Sequence, residues 1–297
     1  MTATPIFGRV LSAMVTPMTP DGAVDEAAAV KLAEHLVSHS HDGIVVNGTT
    51  GESPTLSADE SIAMVALVSE TVGDRAHIVA GVGSNDTAHS VEMAERAAAA
   101  GASGLLVVTP YYNKPTQAGL LGHFRAVADA TDLPVMLYDI PGRTGTPIHI
   151  DTLVRLAEHP RIVAVKDAKG DLWAATHVMA RTALQWYSGD DALNLAHLAQ
   201  GAVGVVSVVG HVAGNEYAAM IHAVDSGDLA TARGIHQRLV PLVDALMTTS
   251  QGAIMTKAAL TELGVIPSAH VRLPLVESPP EHLAILHDGL ARSGFTT

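Results

Sequence analysis

The sequence predicts an α/β fold, a (β/α)8 TIM barrel followed by a C-terminal helical appendage. Three observations carry this: eight short apolar runs, a helix-like stretch after each, and a change of rhythm after the eighth. Strand, turn and helix in alternation is the pattern of a parallel sheet built from βαβ units, and eight such units close a barrel. The 297 residues accommodate a catalytic barrel over 1–227 and a helical region over 228–297.

The eight runs occupy 10–16, 43–48, 77–83, 104–109, 134–139, 162–167, 184–189 and 203–209. Most read as unbroken Val, Ile, Leu and Ala, as strands covered on both faces do. After the first run, Ala29, Leu32, Ala33, Leu36 and Val37 recur at i, i+3, i+4, i+7 and i+8, one buried face of a helix. Met64, Leu67, Val68 and Val72 repeat the pattern after the second run. That helix is expected to start at Ser57, with Glu60 completing a capping box that satisfies two otherwise orphan amides. An open doubly wound sheet shares the rhythm but needs a Gly-rich dinucleotide turn after its first strand; Thr16-Pro17-Met18 stands there instead. Beyond the eighth run, helical patterns at 229–249, 254–263 and 281–291 follow one another with no strand between them.

Composition narrows the function. Mean hydropathy is +0.27, yet no apolar run reaches the roughly 18 residues of a membrane span. The segment 1–10 has no basic stretch leading into an apolar one, so the expected location is the cytoplasm. A formal net charge of −13 repels phosphate backbones and anionic lipid, which argues against nucleic-acid and membrane partners. With no cysteine, disulfides, thiolate zinc sites and thiol nucleophiles are excluded. His39 and His41 flank Ser40, but neither an HExxH pattern nor an acidic third ligand accompanies them, so no metal and no cofactor is expected.

Barrel enzymes place their reactive groups at the C-terminal ends of the strands. Those ends read Gly48-Thr49-Thr50-Gly51-Glu52, Thr109-Pro110-Tyr111-Tyr112, Tyr138-Asp139-Ile140-Pro141-Gly142-Arg143 and Lys166-Asp167. Lys166 is one of only five lysines and the one that ends an apolar β run. With a period of two, Ile162, Ala164 and Lys166 share a face, and small Ala164 leaves space beneath the amine. Desolvation lowers a lysine pKa, and a neutral amine attacks a ketone carbon to form an iminium, an electron sink that acidifies the neighbouring methyl group. Against this stands a rim lysine whose stem packs on apolar neighbours while its ammonium reaches water.

Three of five tyrosines, Tyr111, Tyr112 and Tyr138, lie at strand ends, and Tyr138 on the strand beside Lys166 is the candidate proton carrier; the bland reading is a core tyrosine. Thr49 and Thr50, beside Gly48 and Gly51, offer hydroxyls and amides to a carboxylate, or simply a tight turn. Arg143 follows a Pro-Gly pair and suits bidentate carboxylate binding, or is a solvated loop arginine.

Taken together with Asn113-Lys114-Pro115, Val165-Lys166-Asp167-Ala168 and Ser188-Gly189-Asp190-Asp191, these segments closely resemble the dihydrodipicolinate synthase family. The likeness runs from the first strand through the eighth, and the family belongs to the pyruvate-dependent aldolases that also include N-acetylneuraminate lyase. It implies a lyase in which pyruvate forms an imine with Lys166 and condenses with aspartate 4-semialdehyde, in the diaminopimelate route to lysine. Tyr138 is implied as proton donor and acceptor, with Thr49 and Tyr112 completing its relay, Tyr112 reaching into a neighbouring subunit. Thr50 is implied to hold the pyruvate carboxylate, Val206 to offer its backbone, Gly189 to line the substrate site and Arg143 to meet the semialdehyde carboxylate. A homotetramer of two dimers follows from the same likeness.

Arg143 separates this pattern from the sialic-acid lyases, which generally lack an arginine there and carry a Ser-containing strand-two motif. Asp139 stands where many members have Asn. Ala58, Ser61 and His89 occupy places where lysine-inhibited members often carry histidines and a glutamate; Tyr111 and Asn85 do match, but fewer polar groups are left to hold a dibasic ligand, so weak or absent inhibition by lysine is expected. Two competing functions remain at this stage: another pyruvate aldolase or 2-oxo-acid dehydratase with a sugar-like partner, and a non-catalytic barrel that binds a small anion.

Overall fold

The apolar runs, too hydrophobic to face water, form eight parallel strands that close in chain order into a barrel. The computed structural model describes residues 4–295, so the ends of the two expected regions and the start of the segment 1–10 lie outside the described residues. The strands are β1 Val10–Ala13, β2 Gly43–Val46, β3 His77–Gly81, β4 Gly104–Val108, β5 Val135–Asp139, β6 Ile162–Asp167, β7 Gln185–Ser188 and β8 Gly204–Ser207. Each lies within its expected run. Several runs outlast their strands because the backbone turns at the barrel mouth, as at Asn47, where φ is 60°.

The helices are α1 Glu26–Ser38, α2 Ala58–Val72, α3 Thr87–Ala99, α4 Gln117–Asp129, α5 Pro141–Thr144, α6 Ile150–Leu156, α7 Leu172–Met179, α8 Asn194–Ala199, α9 Gly210–Asp225, α10 Leu229–Met247, α11 Gly252–Glu262 and α12 Pro280–Ser293. Acceptor side chains fix their starts: Asp25, Asp86, Thr116, Asp171 and Asp228 each accept an amide of the first turn of α1, α3, α4, α7 and α10. The capping box of α2 is complete. Glu60 N–H donates to Ser57 Oγ at 3.1 Å, and Ser57 N–H to the Glu60 carboxylate at 2.8 Å.

Alternate strand residues fill two layers. Phe7, Leu11, Ala13, Val45, Val79, Leu106, Met136, Tyr138, Ala164, Tyr187 and Val206 pack inside the barrel. Ile44, Val46, Ile78, Leu105, Val135, Val165 and Trp186 point outward, against Leu32, Leu36, Val65, Val68, Phe124 and their neighbours on the helices. Each large side chain so buried contributes about 1.5–3 kcal/mol. Phe7 plugs the bottom, and a Cβ on Gly104 would fall 2.3 Å from its ring, so β4 has to start with glycine. The helices α9 to α12 form a third apolar cluster with Val10 and Val205, joining the C-terminal region to the outer face of β1 and β8.

One expectation about β6 is corrected. Val135 pairs with Ile162 but Met136 pairs with Ala164, a one-residue bulge. Ile162 therefore packs in the outer layer, while Val163 and Ala164 both contact the interior. The extra residue breaks the period of two. Beyond the bulge the alternation resumes, so Ala164 and Lys166 still share the inward face.

Candidate active site

The register of β5, β6 and β7 sets Tyr138, Lys166 and Tyr187 side by side. Inward alternation then brings the Lys166 amine 4.2 Å from the centroid of the Tyr138 ring. Both side chains are buried, at 4% and 5% exposure. A rim lysine with its ammonium held out in water would be far more exposed than this. Burial pulls the Lys166 ammonium down to about 8; nearby Arg143 pushes the same way, and buried Asp191 opposes. At pH 7 roughly one amine in ten is then neutral, against about one in three thousand for a free lysine.

Burial pushes the Tyr138 hydroxyl up to about 12, while the Arg143 charge and the adjacent Thr49 hydroxyl hold it from rising further. A phenol so firmly protonated gives up its proton only as it receives another, which is what a relay needs. Thr49 and Thr50 lie in the 3-10 turn Thr49–Gly51 that follows β2, with Thr50 buried. The Thr16 hydroxyl donates to Gly51 O at 2.7 Å and ties this turn to the end of β1.

Arg143 sits on the single turn α5, opened by Pro141 and closed by Gly145, whose φ is 75° and whose N–H donates to Pro141 O at 2.9 Å. Its side chain is exposed and makes no ion pair among the described residues. With Asn47, Gly48, Thr49, Ser53, Tyr111, Tyr138 and Ile140 it lines a cavity of about 230 Å³ that opens at the mouth. Tyr112, by contrast, is 90% exposed with φ 73° and does not line this cavity, whereas Tyr111 does.

Val206 is fully buried inside the barrel on β8. Gly189, at the end of β7, lies against the lysine itself: a Cβ there would come within 2.8 Å of Lys166 Cγ and 3.1 Å of Cε. Of the proposed site residues, Thr49, Tyr138 and Arg143 line this cavity, Lys166 packs against Tyr138 and Gly189 against Lys166, Thr50 is buried in the turn after β2 and Val206 in the barrel interior, and Tyr112 stands outside the cavity in a single chain.

Two carboxylates behind the site have roles that the sequence left open. Asp139 accepts Ile148 N–H at 3.2 Å and so holds the segment after α5; burial pushes its carboxyl up to about 7. Asp191 accepts Val208 N–H at 2.9 Å, Val209 N–H at 3.0 Å and the Asn194 amide at 3.0 Å, and the Ser207 hydroxyl also donates to it. It organises the turn after β8, and its charge works against the lowering of the Lys166 pKa. His41 is a core histidine: its Nε2 lies 2.7 Å from the Ser12 hydroxyl.

The description of the dihydrodipicolinate synthetase family fits the chain over residues 6–292. A 4-hydroxy-tetrahydrodipicolinate synthase of Kineococcus radiotolerans is 62% identical over 288 residues, covering 97% of this chain and 94% of its own. One from Acidothermus cellulolyticus is 58% identical over 290 residues, covering 98% and 94%. Among solved structures, the enzyme of Cyanidioschyzon merolae with lysine bound superimposes with a TM-score of 0.96 at 42% identity, covering 99% of this chain and 100% of that one.

Proposed function

The chain belongs to the dihydrodipicolinate synthetase family, and from that premise we propose how its barrel mouth performs the family's condensation. The reaction is that of a 4-hydroxy-tetrahydrodipicolinate synthase, an aldolase-type lyase step in lysine biosynthesis by the diaminopimelate route. It joins pyruvate to L-aspartate 4-semialdehyde.

The neutral Lys166 amine attacks C2 of pyruvate, and water leaves to give an iminium. Loss of a methyl proton yields an enamine, whose carbon bonds to the aldehyde carbon of the semialdehyde while the aldehyde oxygen takes up a proton. The adduct's own amino group then displaces Lys166, closing the ring and freeing the lysine. One water is lost overall. Tyr138 carries protons to and from the carbinolamine and enamine, through Thr49 and through Tyr112 of a second copy of the chain. Thr50 and the Val206 backbone hold the pyruvate carboxylate, Gly189 leaves the lysine stem its room, and Arg143 meets the semialdehyde carboxylate. The exposure of Tyr112 supports a role completed by another subunit, and likeness to the family supports a tetramer of two dimers working in the cytoplasm.

The observation that carries this reading is the buried Lys166 amine, held against Tyr138 with a pKa drawn down to about 8. Incubation with pyruvate and borohydride, followed by peptide mapping, tests it. A reduced pyruvyl adduct on Lys166 is expected; an unmodified chain, or a label on another lysine, refutes it.

A further inference from the structure

The most deeply buried charged pair among the described residues lies neither on the substrate nor in the barrel interior. Lys257 of α11 is fully buried, and its ammonium donates to the carboxylate of Glu52, itself 3% exposed. The same ammonium donates to His270 O at 2.7 Å, and the other Glu52 oxygen accepts Arg272 N–H at 2.9 Å. The ammonium thus has two acceptors and both Glu52 oxygens have donors, the compensation that a buried charged pair requires.

Its location gives the pair a consequence. Glu52 is the residue directly after the Thr49–Gly51 turn, its N–H donates to Thr49 O at 3.2 Å, and it holds a left-handed backbone with φ 58°. A residue with a Cβ keeps that conformation only when its surroundings fix it. The Arg272 side chain extends the hold along the same segment, donating to Thr55 O at 2.7 Å and the Glu60 carboxylate at 2.9 Å, and ties it to the loop before α1 through Gly22 O at 2.8 Å. From Glu52 to Glu60, the loop that carries Thr49 and Thr50 is gripped by residues more than two hundred positions away in sequence.

We propose that Glu52, Lys257 and Arg272 are positioning residues: the C-terminal helical region fixes, through a buried ion pair, the turn that presents Thr49 to the proton relay and Thr50 to the pyruvate carboxylate. The inference rests on the roles given above to those two threonines. It assigns the C-terminal region a part in catalysis that acts through the strand-two turn. None of the three residues touches substrate. Loosening the pair leaves Lys166 and Arg143 in place, because those stand on β6 and α5, but frees the two hydroxyls.

The test compares the parent protein with Glu52→Gln and Arg272→Ala, rates being expressed per Lys166 trapped by pyruvate and borohydride so that unfolded molecules do not count. Glu52→Gln keeps shape but removes the charge, and Arg272→Ala changes a partly exposed side chain, so it spares the fold if the first variant does not. Both are expected to lower kcat by about tenfold or more and to raise KM for pyruvate severalfold, with KM for the semialdehyde nearly unchanged. Glu52→Asp is expected to recover part of the loss. If the variants melt earlier yet keep the parent kcat and KM per trapped site, the pair is a structural brace only and the proposal fails. If the parent itself traps no pyruvate, it is the underlying imine reading that fails.

Discussion

Replacing Gly189 by alanine tests whether the Lys166 stem is held where the chemistry needs it. The new Cβ falls 2.8 Å from Lys166 Cγ, 3.1 Å from its Cε and 3.0 Å from the Asp167 carbonyl oxygen. Ordinary carbon contacts are about 3.5–4.0 Å, so something has to yield by roughly 0.7–1.2 Å. The backbone is the stiffer side, since Gly189 N–H donates to Asp167 O at 2.7 Å and β6 pairs continuously with β7 from Ala164 to Asp167. The lysine stem therefore moves. A displacement of about 1 Å at a reacting group costs on the order of 10²-fold in rate, whereas overpacking costs about 1–3 kcal/mol and leaves the barrel folded. The assay is rapid mixing with pyruvate, quenching in borohydride and mass spectrometry of the adduct, beside a melting curve. Imine formation at the parent rate in a normally folded Gly189→Ala protein refutes the argument.

Three further outcomes follow from the same geometry. Tyr138→Phe is expected to lose about 10²–10⁴-fold in turnover while still trapping pyruvate on Lys166, and unchanged turnover removes Tyr138 from the relay. Arg143→Ala is expected to raise KM for the semialdehyde by about 10–100-fold, the worth of a charged hydrogen bond, with little change for pyruvate. With that positive neighbour gone, the Lys166 pKa also rises, so imine formation levels off at higher pH. Steady-state assays with added lysine are expected to show weak or no inhibition, given Ala58, Ser61 and His89; half-inhibition at micromolar lysine contradicts this.

What could be read from the chain was local or periodic. Eight apolar runs gave eight strands because unbroken Val, Ile and Leu has no other stable place in an α/β layer structure. Ser57 and Glu60 marked the start of α2 because a capping box needs only a spacing of three. Lys166 and Tyr138 were legible because strand ends in a barrel share one mouth.

The rest depended on contacts that leave no local trace. The bulge between Ile162 and Ala164 has no glycine or proline to announce it, and it moved Ile162 to the outer layer. Asp191 stood in a recognised motif, but its grip on Val208 and Val209 appears only once β7 and β8 are adjacent. The partner of Glu52 lies 205 residues away, and no spacing rule connects a turn after β2 with a helix of the C-terminal region. Asp139, which stands where many family members have Asn, takes its role from the fold, since it holds the segment behind Arg143.

The pH dependence of pyruvate imine formation tests the central claim most directly. The neutral amine is the reactive form, and the folded site draws its pKa down to about 8, so the rate is expected to rise about tenfold per pH unit below that value and flatten above it. A rate that keeps climbing tenfold per unit to pH 10, as for a solvated lysine, contradicts the account.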